Sequence, residues 1–259
     1  MHFKLPVSGK EVTLRLPSGE EDVLLCEWQD DETALARALL NAITDEIAGQ
    51  DHVEWGDLPV TDFEWTLLLL RRILFGDFVR TSSSCNQLDC GAKIDISFGI
   101  GDYLAQFQMN MPAEVEKSPE SGWFSLAGKD IKFRLPTGND QQAVAHVAQP
   151  ELELQKRCVI PDDLSGDLLE QVQDSLESMA PAISGLLRGE CRECGNMGDF
   201  YFDVQTYVLR ELLDQAKFIF EDTHLLAGHY HWSEDDILNL PRQRRNRYVE
   251  AIIRDRSLV

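Results

Sequence analysis

The sequence predicts an α+β fold made of two duplicated hairpin-plus-helix lobes, a four-cysteine site that joins them, and a C-terminal helical segment. Three observations predict it. First, Cys85 and Cys90 are followed by Gly91 and the strand-like run Ile94–Phe98, and Cys191 and Cys194 by Gly195 and the strand-like run Asp199–Val204. A glycine after the second cysteine of a close pair lets the chain turn so that both thiolates face one ion. The two pairs, Cys85, Cys90, Cys191 and Cys194, thus offer four ligands for a tetrahedral, zinc-ribbon-like site holding a structural Zn2+. Second, Cys90, Asp95, Phe98 and Tyr103 fall without a gap on Cys194, Asp199, Phe202 and Tyr207, and Gly9–Gly19 lies ungapped on Gly128–Gly138 with six of eleven positions identical. The same order of segments follows each stretch, which chance likeness between two short strands does not produce. Third, Arg242 to Arg256 holds six arginines against Glu250 and Asp255, on a chain of net charge -21. The expected division is a first lobe at 1–108, a second at 123–204 and a C-terminal segment at 205–259.

The opening reads as a hairpin. Phe3, Leu5 and Val7 alternate, Ser8-Gly9-Lys10 turns, and Val12, Leu14 and Leu16 alternate again. Ala34, Leu35, Ala38, Leu39, Ala42 and Ile43 have helical spacing, with Gly49 as the expected stop. A second helix starts at Thr61, read as the N-cap of a capping box with Glu64, buries Trp65, Leu68, Leu69, Ile73 and Leu74, and stops at Gly76. Thr81–Ser84 reads as a polar loop into Cys85, and Met109–Gly122, with two prolines and little periodicity, as a linker. In the second lobe Trp123–Leu126 and Ile131–Leu135 form the hairpin. Asp140–Val147, Glu151–Arg157 and the run through Leu168, Leu169, Val172 and Leu176 form helices. One long helix is expected from Val204 to Gly228, then a short one capped by Ser233 with Asp236, then a last one that Pro241 opens.

Composition narrows the function classes. A hydrophobic fraction of 43% and a charged fraction of 27% are ordinary for a globular protein. The longest aliphatic run, Leu67–Leu70, is far below membrane-spanning length, so no transmembrane helix and no membrane partner are expected. The opening residues lack a secretory pattern, so the cysteines read as reduced and cytoplasmic, with Cys26 and Cys158 as small core residues. The net charge of -21 disfavours nonspecific nucleic-acid binding. No phosphate-loop, nucleophile-elbow or dinucleotide pattern is present. His224, His229 and His231, near Glu221 and Asp222, do not fall on one helical face as a metallohydrolase helix requires, and read as a capped turn. No catalytic residue is expected.

On the last helix Tyr248, Val249, Ile252 and Ile253 form an apolar stripe, with Arg242, Arg245 and Arg256 among them and Arg244, Arg247 and Arg254 on the other side. A guanidinium inside that stripe needs a carboxylate. For Arg245 the nearest in sequence are Glu234, Asp235 and Asp236, with a partner as the other source. A basic face suits docking to an acidic or phosphate-bearing partner, whereas arginine stems covering apolar surface are the plainer reading. Candidate partner-contacting residues are Trp232, Arg242, Arg244, Arg245, Arg247, Tyr248 and Arg254.

The run Leu225–Tyr248, through His231-Trp232-Ser233, Ile237-Leu238, Leu240-Pro241-Arg242, Arg244-Arg245 and Arg247-Tyr248, resembles the C-terminal segment of the T-even phage baseplate hub assembly family, also found in contractile tail-like injection systems. The resemblance implies a non-enzymatic role in building a baseplate or its hub inside the producing bacterial cell. Baseplate or hub proteins are its implied partners, and the protein either leaves after assembly as a chaperone or stays in the particle. A zinc-ribbon adaptor of nucleic-acid machinery is the alternative class. It calls for basic and aromatic ribbon strands, whereas these carry Asp95, Asp199 and Asp203. A metal-dependent hydrolase needs an open coordination position, which four cysteines close.

Overall fold

The computed structural model describes residues 1–29, 31–45, 53–87 and 89–257. It opens with the hairpin β1 (His2–Lys4) and β2 (Glu11–Leu14), then α1 (Gly19–Glu27), α2 (Glu32–Ile43), β3 (Thr44–Asp45), a 3-10 turn (Trp55–Asp57) and α3 (Val60–Phe75). A second hairpin, β4 (Phe78–Ser84) and β5 (Lys93–Gly99), leads into α4 (Ile100–Leu104). Next come β6 (Val115–Lys117), β7 (Trp123–Leu126), β8 (Lys132–Arg134), α5 (Gly138–Val144), α6 (Pro150–Cys158), β9 (Val159–Ile160) and α7 (Asp167–Met179). The third hairpin is β10 (Gly185–Glu190) and β11 (Met197–Phe202), and α8 (Val204–Ala216), α9 (Ile219–Tyr230), α10 (Glu234–Leu238) and α11 (Arg242–Ser257) complete the chain. The mixture of helix and sheet is the expected α+β class.

Two compact units form, and they cut across the expected 1–108, 123–204 and 205–259 division. The first gathers residues 1–4, 11–54 and 206–259, and the second residues 5–10 and 55–205. In the first unit the sheet order is β1-β2-β3, and Val12, Leu14, Leu25, Leu39, Leu40 and Ile43 are buried. In the second, β6-β7-β8-β9 form one antiparallel sheet while β4-β5 and β10-β11 stay separate hairpins. Phe133, Val159, Val172 and Met179 centre a core beneath the four-stranded sheet.

The matching stretches Gly9–Gly19 and Gly128–Gly138 carry the same local device. Ser18 caps α1 in a capping box with Glu21, and Arg15 donates to that carboxylate at 2.9 and 2.6 Å. Thr137 caps α5 in a capping box with Asp140, and Arg134 donates to Asp140 at 2.8 Å. The register repeats as well: Leu14 pairs with Thr44 on β3, and Phe133 with Val159 on β9. A carboxylate at the third helical position satisfies the cap amide and complements the helix dipole, and the arginine makes its burial tolerable.

Several local expectations are corrected. Helix α3 begins at Val60 after Pro59 with no side-chain cap bond, because Thr61 donates to the Pro181 carbonyl at 3.0 Å and Glu64 accepts from Ser184 and Gln205. Thr81–Ser84 is not a loop but the end of β4, where ladder pairing with β5 outweighs the turn preference of serine. Met109–Gly122 is more than a linker, since its Val115–Lys117 adds an edge strand to β7. The long helix from Val204 breaks at Lys217–Phe218, leaving Phe220 and Leu213 exposed, and Gly228 lies inside α9, which ends at His231 in the left-handed conformation (φ 58°). Helix α2 ends at Thr44, and the expected stop at Gly49 lies outside the described residues. Ser233 and Asp236 form the expected box.

Candidate metal centre and C-terminal basic helix

Each cysteine pair sits at the tip of a hairpin. The β4-β5 ladder closes at Ser84↔Lys93 and the β10-β11 ladder at Glu190↔Met197, and one further bond extends each, Cys85 N–H to Ala92 O at 2.8 Å and Cys191 N–H to Asn196 O at 2.9 Å. Beyond it the chain must reverse within a few residues. Gly91 (φ 57°) and Gly195 (φ 69°) do this in the left-handed region, where a side chain is strained. The tips therefore share one design despite spacings of four and two residues between the cysteines.

The two hairpins face one another within the second unit. A Cβ on Gly189 or Gly198 would come within 3.0 Å of Ile94, so the absent side chains make room for that isoleucine. Away from the tips, Phe98 packs on Tyr103 and Phe202 with ring centroids 4.9 and 5.3 Å apart. Isoleucine and aromatic contacts thus fix the separation of the hairpins, and the tips meet. Cys85 Sγ lies 3.7 Å from Cys194 Sγ and Cys90 Sγ 3.7 Å from Cys191 Sγ, and all four sulfurs fall within 4.8 Å of one another. Those separations exceed a disulfide bond of about 2 Å, and all six cysteines are free.

Among the described residues this is the one cluster of metal-ligating side chains, and the histidines near α9 do not join another. The Cys194 and Glu193 N–H groups pull the Cys191 thiol down to about 7. At Cys90 the Ala92 N–H acts in the same sense, but burial and the thiols of Cys194 and Cys191 outweigh it and push Cys90 up to about 12. Four mutually close thiols cannot all ionise without a cation among them. Cys85 and Cys191 are buried, Cys90 is half-buried and Cys194 is exposed, so the cluster reaches solvent on one side. The group is compatible with a metal site in which every ligand is a thiolate.

The predicted partner-contacting residues divide into two sets. Arg244, Arg247 and Arg254 are exposed on α11. Arg245 is buried at 1% exposure and bonds the fully buried Asp22 of α1, which also receives Arg242 (Nε at 3.3 Å). Asp222 of α9 stands 3.7 Å from the Arg245 Nε. The expected neighbours Glu234, Asp235 and Asp236 are exposed, and the counter-charges come instead from residues 223 and 23 positions earlier in sequence. Gly19 permits this approach, because a Cβ there would lie 2.9 Å from Arg245 Nη1. Arg245 and Arg242 thus hold the helix in the first unit. Arg256 and Ile253 are exposed rather than within the buried stripe. Trp232 is half-buried, stacked on Tyr230 at 4.7 Å and edge-on to Tyr248 at 5.0 Å.

No helix among the described residues is long and apolar enough to cross a membrane. A family model described as T4 bacteriophage base plate protein matches residues 1–205, ending where the second unit ends and leaving the 225–248 run outside the match. No curated protein and no solved structure matches the chain.

Proposed function

The chain belongs to the T4 bacteriophage base plate protein family, and on that premise we propose that it is a non-enzymatic assembly factor or component of a phage-like baseplate or hub, in a contractile tail or injection system. The observation that carries this reading is the family match over residues 1–205. We assign the metal as one structural zinc per chain, bound by Cys85, Cys90, Cys191 and Cys194. Sulfurs about 2.3 Å from a tetrahedral centre lie about 3.8 Å from one another, close to the 3.7 Å of the two pairs. Four thiolates leave no open position for water or substrate, so the ion would staple two hairpins and do no chemistry. An adaptor role in nucleic-acid machinery is less well supported, since the ribbon exposes Asp95 and Asp199, and Arg188 is paired to Asp199 at 2.8 Å.

Docking is assigned to the exposed Arg244, Arg247 and Arg254 of α11 and to an acidic surface on a baseplate or hub protein. The test replaces all three by Glu. Each exposed change shifts stability by about 0.5 kcal/mol or less, so melting and metal content stay near wild type while co-purification with baseplate proteins is lost, and wild-type binding weakens with salt. Normal particles from the triple variant would remove the docking role. The two lobes are further read as copies of one module, supported by the repeated Arg–carboxylate capping device. An experimental structure in which 3–104 and 124–208 do not superpose would refute that.

A further inference from the structure

Helix α3 contributes an ionisable group that neither the metal centre nor the basic helix uses. Glu64 is 4% exposed and lines a cavity of about 410 Å³ within the second unit, inside the range of about 300–1,000 Å³ typical of ligand sites. Val60, Val144, Leu154 and Leu176, contributed by four different helices, give it apolar surface, and Gln141, Gln173 and Tyr201 add polar groups to the lining. Glu64 accepts from the Ser184 N–H at 2.9 Å, the Ser184 hydroxyl at 2.9 Å and Gln205 Nε2 at 3.2 Å, and none of these partners is a cation. Gln205, 4% exposed, leaves its Oε1 without a hydrogen-bond partner among the described residues. Glu177 adds a second carboxylate to the lining, and it is exposed.

This combination is costly for a site that only fills space. A buried carboxylate without a counter-charge is destabilising, and burial with the nearby Asp203 pushes the Glu64 carboxyl up from its ordinary range. Glu64 already accepts from Ser184 twice and from Gln205 once, which leaves a lone pair on its Oε2 for a further donor. Apolar side chains beside a buried carboxylate complement a straight aliphatic chain that ends in a compact cation. An ammonium on a four-carbon stem has that form, whereas a planar guanidinium needs both carboxylate oxygens in one fork, and here Ser184 already occupies each.

We propose that the cavity beside Glu64 is a second recognition site, independent of α11, that takes the side chain of a lysine presented by a protein partner. The hydrocarbon stem lies against Val60, Val144, Leu154 and Leu176, and the ammonium donates to Glu64. The site needs no metal and does not depend on the assembly reading.

The test titrates the full chain with N-acetyl-lysine methylamide, n-pentylammonium and uncharged n-pentanol, following the methyl resonances of Val60, Val144, Leu154 and Leu176. Saturable shifts with both amines, at least about tenfold weaker with pentanol and with Glu64→Gln protein, are expected from loss of a charge-assisted bond. Leu176→Trp, which fills the cavity from a partly exposed position, serves as a second variant and should abolish binding if Glu64→Gln fails to fold. Absence of shifts at those methyls, equal binding of pentanol, or unchanged binding to a folded variant would overturn the proposal. Binding of pentylammonium but not of the lysine amide would overturn the protein partner in favour of a small amine.

Discussion

Cys191 shows how much one side chain can carry. It is fully buried, 3.7 Å from Cys90, and two backbone N–H groups point at its sulfur, which favours its thiolate. On the proposed four-cysteine zinc site, elemental analysis should find one zinc per wild-type chain and near none in Cys191→Ser, which should also be destabilised by several kcal/mol, since structural zinc binding is coupled to folding. Full zinc in that variant would remove Cys191 from the ligand set. Asp140 makes a different contribution. Burial by itself would raise its pKa, but the Arg134 guanidinium and the Thr137 amide hold it at about 2, below the ordinary 3.8. A depressed carboxylate stabilises the fold above its unfolded pKa, and that stability is lost as the pH falls through about 2. The shift corresponds to about 2 kcal/mol at neutral pH. Arg134→Met should thus melt lower at pH 7, begin acid unfolding at a higher pH, and converge with wild type near pH 2 in circular dichroism.

Among the elements, the paired hairpins depend on missing side chains as much as on present ones. Gly198 faces Ile94, and a Cβ there would stand 3.0 Å from the Ile94 Cδ1. Gly198→Ala should cost about 1–3 kcal/mol by overpacking. Ile94→Val removes the opposing methyl, so the double variant should recover part of that loss in chemical denaturation. Strictly additive losses would mean that the two hairpins do not pack through this contact. Helix α11 makes the same point with charge. Its sequence pattern marks a basic amphipathic helix, yet two of its six arginines are spent on the buried Asp22.

On the scale of the whole molecule, the family match stops at residue 205, but the first compact unit needs residues 206–259. Truncation after Gln205 removes Arg242 and Arg245 and leaves Asp22 without either cation. Removing the partners of a buried charge costs about 3–5 kcal/mol. The truncated chain should accordingly show faster hydrogen exchange in α1 and α2 while the cysteine hairpins of the second unit keep their protection. Unchanged exchange in α1 would mean that the C-terminal helices are dispensable to the first unit.

The sequence by itself determined what is local. The cysteine pairs with their glycines predicted the two tight turns and the cluster of four thiols, though not the strands Phe78–Ser84 and Gly185–Glu190 that lead into them. The alternation through Val12 and Leu14 and the Ser233–Asp236 cap predicted their elements, since strand pleat and helix ends are set within a few residues. Tertiary structure decided the partners of groups whose needs can be met from afar. Glu64 had a local role available as half of a capping box, and it went instead to Ser184, 120 residues away, because burial makes a carboxylate take the strongest donors within reach. Arg245 likewise passed over three nearby acidic residues for Asp22. A sequence shows that a charge in an apolar stripe must be paired, but folding alone chooses the residue that pairs with it.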